Sequence, residues 1–210
     1  MTQLFTPLSA TIVLLLGTSN LSSTQKTNNM NTTAVTATVE VITITRVQAP
    51  ESASRNLFVK GFEAAIPDYQ KIPGLLCKSF ALSSSGSYFG GIYYWGNKQA
   101  AEQWFGPHWF EAVKKKYKTE GEVMYYTVSG EQIVQPSATG SGKFWSVVSM
   151  GSKAIDASAK GLLKVAFVTD SKGDEGHVSL WQTEADARAY YKNNLSANEF
   201  FDTPVLLNNQ

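Results

Sequence analysis

Two neighbouring segments carry the most evident chemistry in this sequence, "LLCKSFALS" from Leu75 and "GGIYYW" from Gly90. Between them they combine the amine of Lys78, the phenol of Tyr93 and the rings of Phe80 and Trp95. Side chains alternate along a strand, so Lys78 and Phe80 share one face, Tyr93 and Trp95 share one face of the next strand, and Leu75, Cys77 and Ala81 lie opposite the lysine. A lysine among large aromatics suits a pocket that orients a flat ring and keeps one polar contact, whereas small and aliphatic groups suit close packing under helices. The expectation is that Lys78, Phe80, Tyr93 and Trp95 look into the interior of a barrel that encloses a space of ligand size, roughly 300–1,000 Å³. The same residues also read as an aromatic core with Lys78 snorkelling to solvent at its rim. In a dry pocket a lysine ammonium favours an anion beside it, and a tyrosine hydroxyl can donate to developing negative charge. His108, after the Gly106-Pro107 break, has an ordinary pKa near neutrality and so is a candidate base; a histidine at that place also simply starts a helix. Tyr125, in "EVMYYTV", supplies a further ring for substrate contact.

Other chemistries lack their residues. Cys77 is the single cysteine, so neither an intramolecular disulfide nor a cysteine metal cluster can form, and His108 and His177 have no carboxylate at ligand spacing. No metal is expected. "TGSGKFW" is not a phosphate loop, because Phe144 follows Lys143 where magnesium chemistry needs Ser or Thr. A Gly-x-Ser-x-Gly elbow is absent. With a net charge of +1, a pI of 7.8 and no like-charge block longer than Lys114 to Lys116, nucleic acid is not an expected partner. That triplet reads as the wet side of a helix whose Phe110, Val113 and Tyr117 face inward. Trp104 and Trp109 read as core, and His177 as exposed.

The elements that must position the candidate residues follow from periodicity and breakers. "TVEVITITRV" from Thr38 alternates β-branched residues as a strand does. A helical stretch runs from Ser52 to Tyr69 and stops at Pro73-Gly74. Leu75–Ser83 and Gly90–Trp95 make a hairpin, Asn97 caps a helix, a second helix runs from His108 to Lys118, and Glu122–Val128 closes the unit. Strand, helix, strand, strand, helix, strand is the order of a split βαβ, ferredoxin-like, unit. A second copy follows: "GLLCKSF" at Gly74 is echoed by "GLLKVAF" at Gly161, and "WGNKQAAEQWF" at Trp95 by "WQTEADARAYY" at Trp181. It opens with the strand Lys143–Met150 and closes near Pro204, and its first helix must be short because only "GSKAIDASAK" is available.

The domain reading is a signal peptide at 1–25, a disordered leader at 26–37, a first ferredoxin-like unit at 38–134 and a second, trimmed unit at 143–208. The signal rests on the apolar, uncharged "LSATIVLLLGTS", which is too short to span a bilayer, and it implies a secreted or periplasmic chain with no stable membrane span after processing. The fold class is α+β, two tandem ferredoxin-like units forming an internal dimeric α/β barrel. Such a chain is a monomer with an internal pseudo-dimer; an exposed sheet face would instead make a homodimer.

The stretch "IPGLLCKSFALSSSGSYFGGIYYWGNKQAAEQWFGPHWFEAVKKKYKTEGEVMYYTV" resembles the YdhR-like monooxygenase family of the dimeric α/β-barrel superfamily, which also includes antibiotic-biosynthesis monooxygenases. Pro-Gly-Leu before a Lys-x-Phe strand, Gly-Gly-x-Tyr-x-Trp, the Ala-Ala helix, the Trp109 segment and the Tyr-rich strand occur in that order. The resemblance covers about Val39 to Val128. It implies cofactor-independent oxygenation of a small aromatic or phenolic compound, with Lys78, Tyr93 and His108 as catalytic candidates and Phe80, Trp95 and Tyr125 as substrate contacts. The alternative at this level is a non-catalytic protein of the same shape that binds a small hydrophobic ligand. The second copy has Val165 where the first has Lys78, and Ser179 where it has Tyr93, so it reads as wall and support.

Overall fold

The β-branched alternation after Thr38 forms a strand, β1 (Val41–Gln48), and with it an eight-stranded barrel closes. The computed structural model describes residues 38–133 and 140–209. The expected signal peptide and leader, and residues 134–139 of the expected linker, lie outside the described residues. From β1 the chain runs through α1 (Arg55–Tyr69), β2 (Leu75–Ser83), β3 (Tyr88–Trp95), α2 (Lys98–Trp104), α3 (Pro107–Tyr117) and β4 (Gly121–Ile133). It continues through β5 (Gly140–Met150), β6 (Leu162–Thr169), β7 (Glu175–Trp181), α4 (Glu184–Tyr190), a 3-10 turn (Leu195–Ala197) and β8 (Asn198–Asn208). Around the barrel the order is β1-β3-β2-β8-β5-β7-β6-β4, and every neighbouring pair is antiparallel. Closure leaves no open sheet edge.

The first four strands are ordered β4-β1-β3-β2 and the last four β8-β5-β7-β6, the same permutation, joined at β2–β8 and β4–β6. The Gly74 and Gly161 segments also match in backbone. Both glycines are left-handed, at φ +78° and +80°, and each packs against the third residue after a helix cap: a Cβ there would come within 2.7 Å of Ala100 or of Asp186. The caps are Asn97, accepting from the Ala100 amide at 2.8 Å, and Thr183, accepting from the Asp186 amide at 3.1 Å. The expected short first helix of the later half is not there: residues 151–161 run as bends and turns. Its first strand starts earlier than expected, at Gly140.

Two apolar layers divide the sheet. The barrel interior is filled from both halves by Ile42, Ile44, Ile92, Ala166, Val178 and Phe201, with Ala81 and Tyr94 among them. The outer face of the first half packs under α1, α2 and α3, which contribute Phe58, Phe62, Ala101, Phe105, Trp109 and Val113. Lys78, Phe80, Tyr93 and Trp95 lie on this outer face, so the expectation that they look into the barrel is corrected. An eight-stranded barrel is just wide enough for side chains to fill, and Ile42, Ile44, Ile92 and Val178 do so here together with the rings of Tyr94 and Phe201. The rings of Phe80, Tyr93 and Trp95 pack outside it, Phe80 and Tyr93 against residues of α1. Leu75 is on the lysine's face despite its odd spacing, because the register slips between Leu75 and Cys77.

Candidate functional site

Lys78 stands directly opposite Tyr93 in the β2–β3 ladder, and its side chain passes under the end of α1. It is 3% exposed. Its Nζ lies 3.2 Å from the ring centroid of Tyr69, 3.9 Å from that of Phe80 and 4.4 Å from that of Tyr93. Among the described residues no carboxylate pairs with it. Gly91 makes the path possible, since a Cβ at that position would come within 2.7 Å of the Lys78 Cε and 3.0 Å of the Tyr93 ring.

Burial pushes the Lys78 pKa well below the ordinary lysine range. The ring faces act the other way. Each is worth about 2 kcal/mol to a desolvated cation, and burying an ammonium without a counter-ion costs several kcal/mol. The net effect is to weaken the group's hold on its proton.

Two phenols flank that amine. Tyr69 is the last residue of α1, four residues past Ala65 in the stripe Phe58, Phe62, Ala65 that α1 lays on the sheet. Its ring centroid is 6.0 Å from that of Tyr93. Burial raises both phenols, and a hydrogen bond links their hydroxyls. The Thr45 hydroxyl works to lower Tyr93, and it also accepts from the Gly91 amide at 3.0 Å. Tyr93 is stacked on Trp95, with ring planes 11° apart, and meets Phe105 edge-on.

A cavity of about 90 Å³ lies beside these groups, between α1, α3 and the outer face of β1, β2 and β3. Phe62, Phe80, Phe89 and Trp109 supply apolar walls; Lys78, Tyr69, Tyr93 and Thr45 line it as polar groups, and Lys116 and Tyr117 line it from the last turn of α3. Its volume falls short of the several hundred Å³ expected, and of the ~150 Å³ that holds a benzene. The space takes a small group as it stands, and a whole ring requires side chains at the α1–α3 gap to swing out.

The structure gathers Lys78, Tyr93 and Phe80 at this cavity. Trp95 backs it without lining it; fully buried, it donates its indole N–H to Thr43 at 2.9 Å. Tyr125 is half-buried against the same core and is not on the cavity wall. His108 is exposed at the start of α3, edge-on to Trp104, and does not reach the cavity. The helix break that drew attention to it serves the helix: Pro107 takes the first helical position. Tyr69 was missed, although its place in the Phe58–Phe62–Ala65 helical stripe marks it as facing the sheet. Trp109 is core, as expected, and also wall.

His177 corrects another expectation. It is 1% exposed, with Nδ1 at 3.0 Å from the Ser152 carbonyl and Nε2 at 2.7 Å from the Tyr191 hydroxyl. That hydroxyl is 3.0 Å from Ser179, which accepts from the Trp181 indole at 2.9 Å. Burial lowers the histidine's pKa, so its ring is neutral, Nδ1 donates to the carbonyl and Nε2 accepts from Tyr191. Among the described residues no three His, Cys, Asp or Glu side chains gather as a metal site requires. No helix among them is long and apolar enough to cross a membrane.

No family model matches the chain, and no curated protein matches it. Solved structures do. A monooxygenase-like protein from Lactobacillus acidophilus NCFM superposes with a TM-score of 0.55 at 12% identity, over 82% of this chain and 97% of the other. One from Fusobacterium nucleatum subsp. nucleatum gives 0.54 at 9%, over 81% and 94%. An anthrone oxidase-like protein gives 0.54 at 8%, over 82% and 94%. At these identities the likeness is one of fold: the chain shares an α+β barrel architecture with these three proteins.

Proposed function

We propose that the chain is a cofactor-independent monooxygenase acting on a small phenolic or enolisable aromatic compound at the Lys78 cavity. The observation that carries this is a deeply buried amine, surrounded by ring faces and without a carboxylate partner among the described residues, beside two coupled phenols. A neutral amine is a base. It takes the proton of the bound phenol, becoming an ammonium over the faces of Tyr69, Phe80 and Tyr93, and the new ion pair holds the substrate as its anion. Tyr93 and Tyr69 supply hydroxyls to the anionic oxygen. The electron-rich anion then reduces dioxygen: a ring carbon, CH2 in the substrate's keto tautomer and CH in the anion, becomes C=O with one oxygen atom, and the other leaves as water with the ring hydrogen and the proton returned by Lys78. All four electrons come from the substrate carbon and its hydrogens, so in this reading no external reductant is consumed. The solved structures support the reading through their fold and through what two are described as, monooxygenases.

The finer architecture belongs to the same proposal. The repeated strand order and the paired glycine turns support two tandem ferredoxin-like units that close one barrel within a single chain, as in the YdhR-like resemblance but internally. A barrel already closed needs no second copy, so light scattering after size exclusion is expected to return one chain's mass; a dimer mass would overturn the internal-barrel reading.

A second reading, a protein that binds a small hydrophobic ligand without turnover, is favoured by one observation: His108, the separate base expected, stays out of the cavity. Oxygen uptake separates the two. Metal- and flavin-free protein is offered phenols, hydroquinones and anthrone, and uptake is expected with at least one and is lost in Lys78→Met. Tight binding with no uptake would establish the binder instead.

A further inference from the structure

We infer that the second half of the barrel has a binding site of its own, an open cleft of about 400 Å³ beside His177, and that its ligand is an uncharged polyol of monosaccharide size. The cleft lies on the outer face of β5 and β7, where the pairing of the first half is repeated: Ser149 stands opposite His177 as Thr45 stands opposite Gly91. Thr45 is one of the polar groups of the Lys78 cavity, so Ser149 marks the counterpart of that cavity in the later half. The volume is within the roughly 300–1,000 Å³ of small-molecule sites. Nothing in the inference depends on the chemistry proposed at Lys78.

The wall sets the ligand class. Among the described residues no Asp, Glu, Lys or Arg lines the cleft, so a charged ligand would lose hydration on entering and meet no counter-charge. The polar groups that do line it are neutral and partly uncommitted. Ser149 is only 9% exposed, and its hydroxyl makes no hydrogen bond among the described residues. A hydroxyl so buried and so unpaired is costly to the fold, which favours a ligand that bonds to it. Tyr190 accepts from the Asp156 amide at 2.8 Å and keeps its own proton to donate. The side-chain amides of Asn193 and Asn194 are exposed and unbonded, and Asn198, which donates to the Asn194 carbonyl at 2.6 Å, keeps its amide oxygen. Hydroxyls and amides both donate and accept, which matches a ring that carries several hydroxyls. Met150 and the Tyr190 ring offer apolar surface to its C–H side. The floor is set in advance, because both ring nitrogens of His177 are engaged, by the Ser152 carbonyl and the Tyr191 hydroxyl, and little ordering remains for binding to impose.

Saturation-transfer difference NMR on the full chain tests this, with D-glucose, D-galactose, D-mannose and myo-inositol as uncharged probes and D-glucuronate and D-galacturonate as charged ones. At least one uncharged probe is expected to bind, with the uronates about tenfold weaker than the best of the four. Ser149→Ala is expected to weaken that best probe about three- to tenfold, the net worth of one hydrogen bond, and Asn194→Ala to weaken it by a similar factor. Because the Ser149 hydroxyl has no partner in the fold, Ser149→Ala is expected to leave the melting temperature where it is. Asn194 is exposed, so its variant keeps the fold as well. No signal from any of the four, uronates that bind as tightly, or a best probe untouched by both substitutions would each overturn the inference. A lower melting temperature in Ser149→Ala would do so too, by showing the hydroxyl bonded within the fold. So would a signal lost in Lys78→Met and kept in Ser149→Ala, which would assign the sugar to the first half.

Discussion

Replacing Lys78 by methionine tests whether the buried group is an amine. Methionine fills nearly the same volume with an apolar chain, so the three ring contacts persist while the titratable group is gone. The folded protein holds Lys78 with a pKa well below the ordinary lysine value, and burial is the cause. In the unfolded chain the group returns to about 10.4. Between those two values the unfolded state binds a proton that the folded state does not, so stability rises with pH at about 1.4 kcal/mol per unit from this residue. Lys78→Met removes the penalty at every pH. The variant is therefore more stable than wild type near neutrality, and its advantage narrows as pH rises. From pH 7.5 to 9.5 the narrowing is up to about 2.7 kcal/mol, which at an m-value of about 2 kcal/mol/M is roughly 1.4 M in urea midpoint. Urea unfolding followed by tryptophan fluorescence on both chains at matched pH isolates the term, because all other titrations cancel in the difference. A pH-independent difference between the chains would refute the reasoning: the ring faces would then be holding an ammonium, and the base assigned to the oxygenation would be lost.

Gly91→Ala places a methyl against the Lys78 stem and the Tyr93 ring, at 2.7 Å and 3.0 Å. Overpacking of this kind costs about 1–3 kcal/mol, read as a lower melting temperature, and it is expected to abolish phenol-dependent oxygen uptake; a fully active variant would place the chemistry elsewhere. Tyr191→Phe deletes the hydroxyl that joins His177 and Ser179. It is expected to cost about 1–3 kcal/mol of stability for leaving buried polar groups unpaired and to leave oxygen uptake unchanged, so a loss of uptake at full occupancy of the folded state would move function into the second half.

Local order was legible in the sequence and facing was not. The α1 stretch, the hairpin β2–β3, the Asn97 cap and the repeat of the Gly74 segment at Gly161 all rest on short-range chemistry: periodicity, breakers, capping oxygens and left-handed glycines. The alternation also grouped Lys78 with Phe80, and Tyr93 with Trp95, correctly. Which face of the sheet becomes barrel interior is a long-range matter. It depends on β2 meeting β8 and β4 meeting β6, pairings between residues more than 30 positions apart that no short window of sequence contains. Period two separates the faces without naming them, and the register slip after Leu75 breaks even that. His108 misled because a Gly-Pro break before a histidine has the same appearance whether the ring enters a site or caps a helix surface. Tyr69 was accessible to helical periodicity and needed only the stripe from Phe58 to be carried one turn further.

The two halves of the barrel make opposite use of the same place. Lys78 faces Tyr93 across β2 and β3, and Val165 faces Ser179 across β6 and β7. In the first half α1 and α3 lie over that pair and leave a gap, with an amine in it that has no carboxylate partner among the described residues. In the second half no helix follows β5, and Tyr191 brings its hydroxyl to 3.0 Å from Ser179 and 2.7 Å from His177. Every polar atom of that cluster finds a neighbour, and valine stands where the lysine would be. The second half thus shows that this sheet closes without a buried amine and without an aromatic cage to hold one. A buried lysine that becomes an ammonium costs a fold several kcal/mol unless something supplies its counter-charge. The scaffold does not require Lys78 and the described residues do not pair it, so in the proposed reaction the counter-charge is the phenolate, which forms only after the ligand has entered.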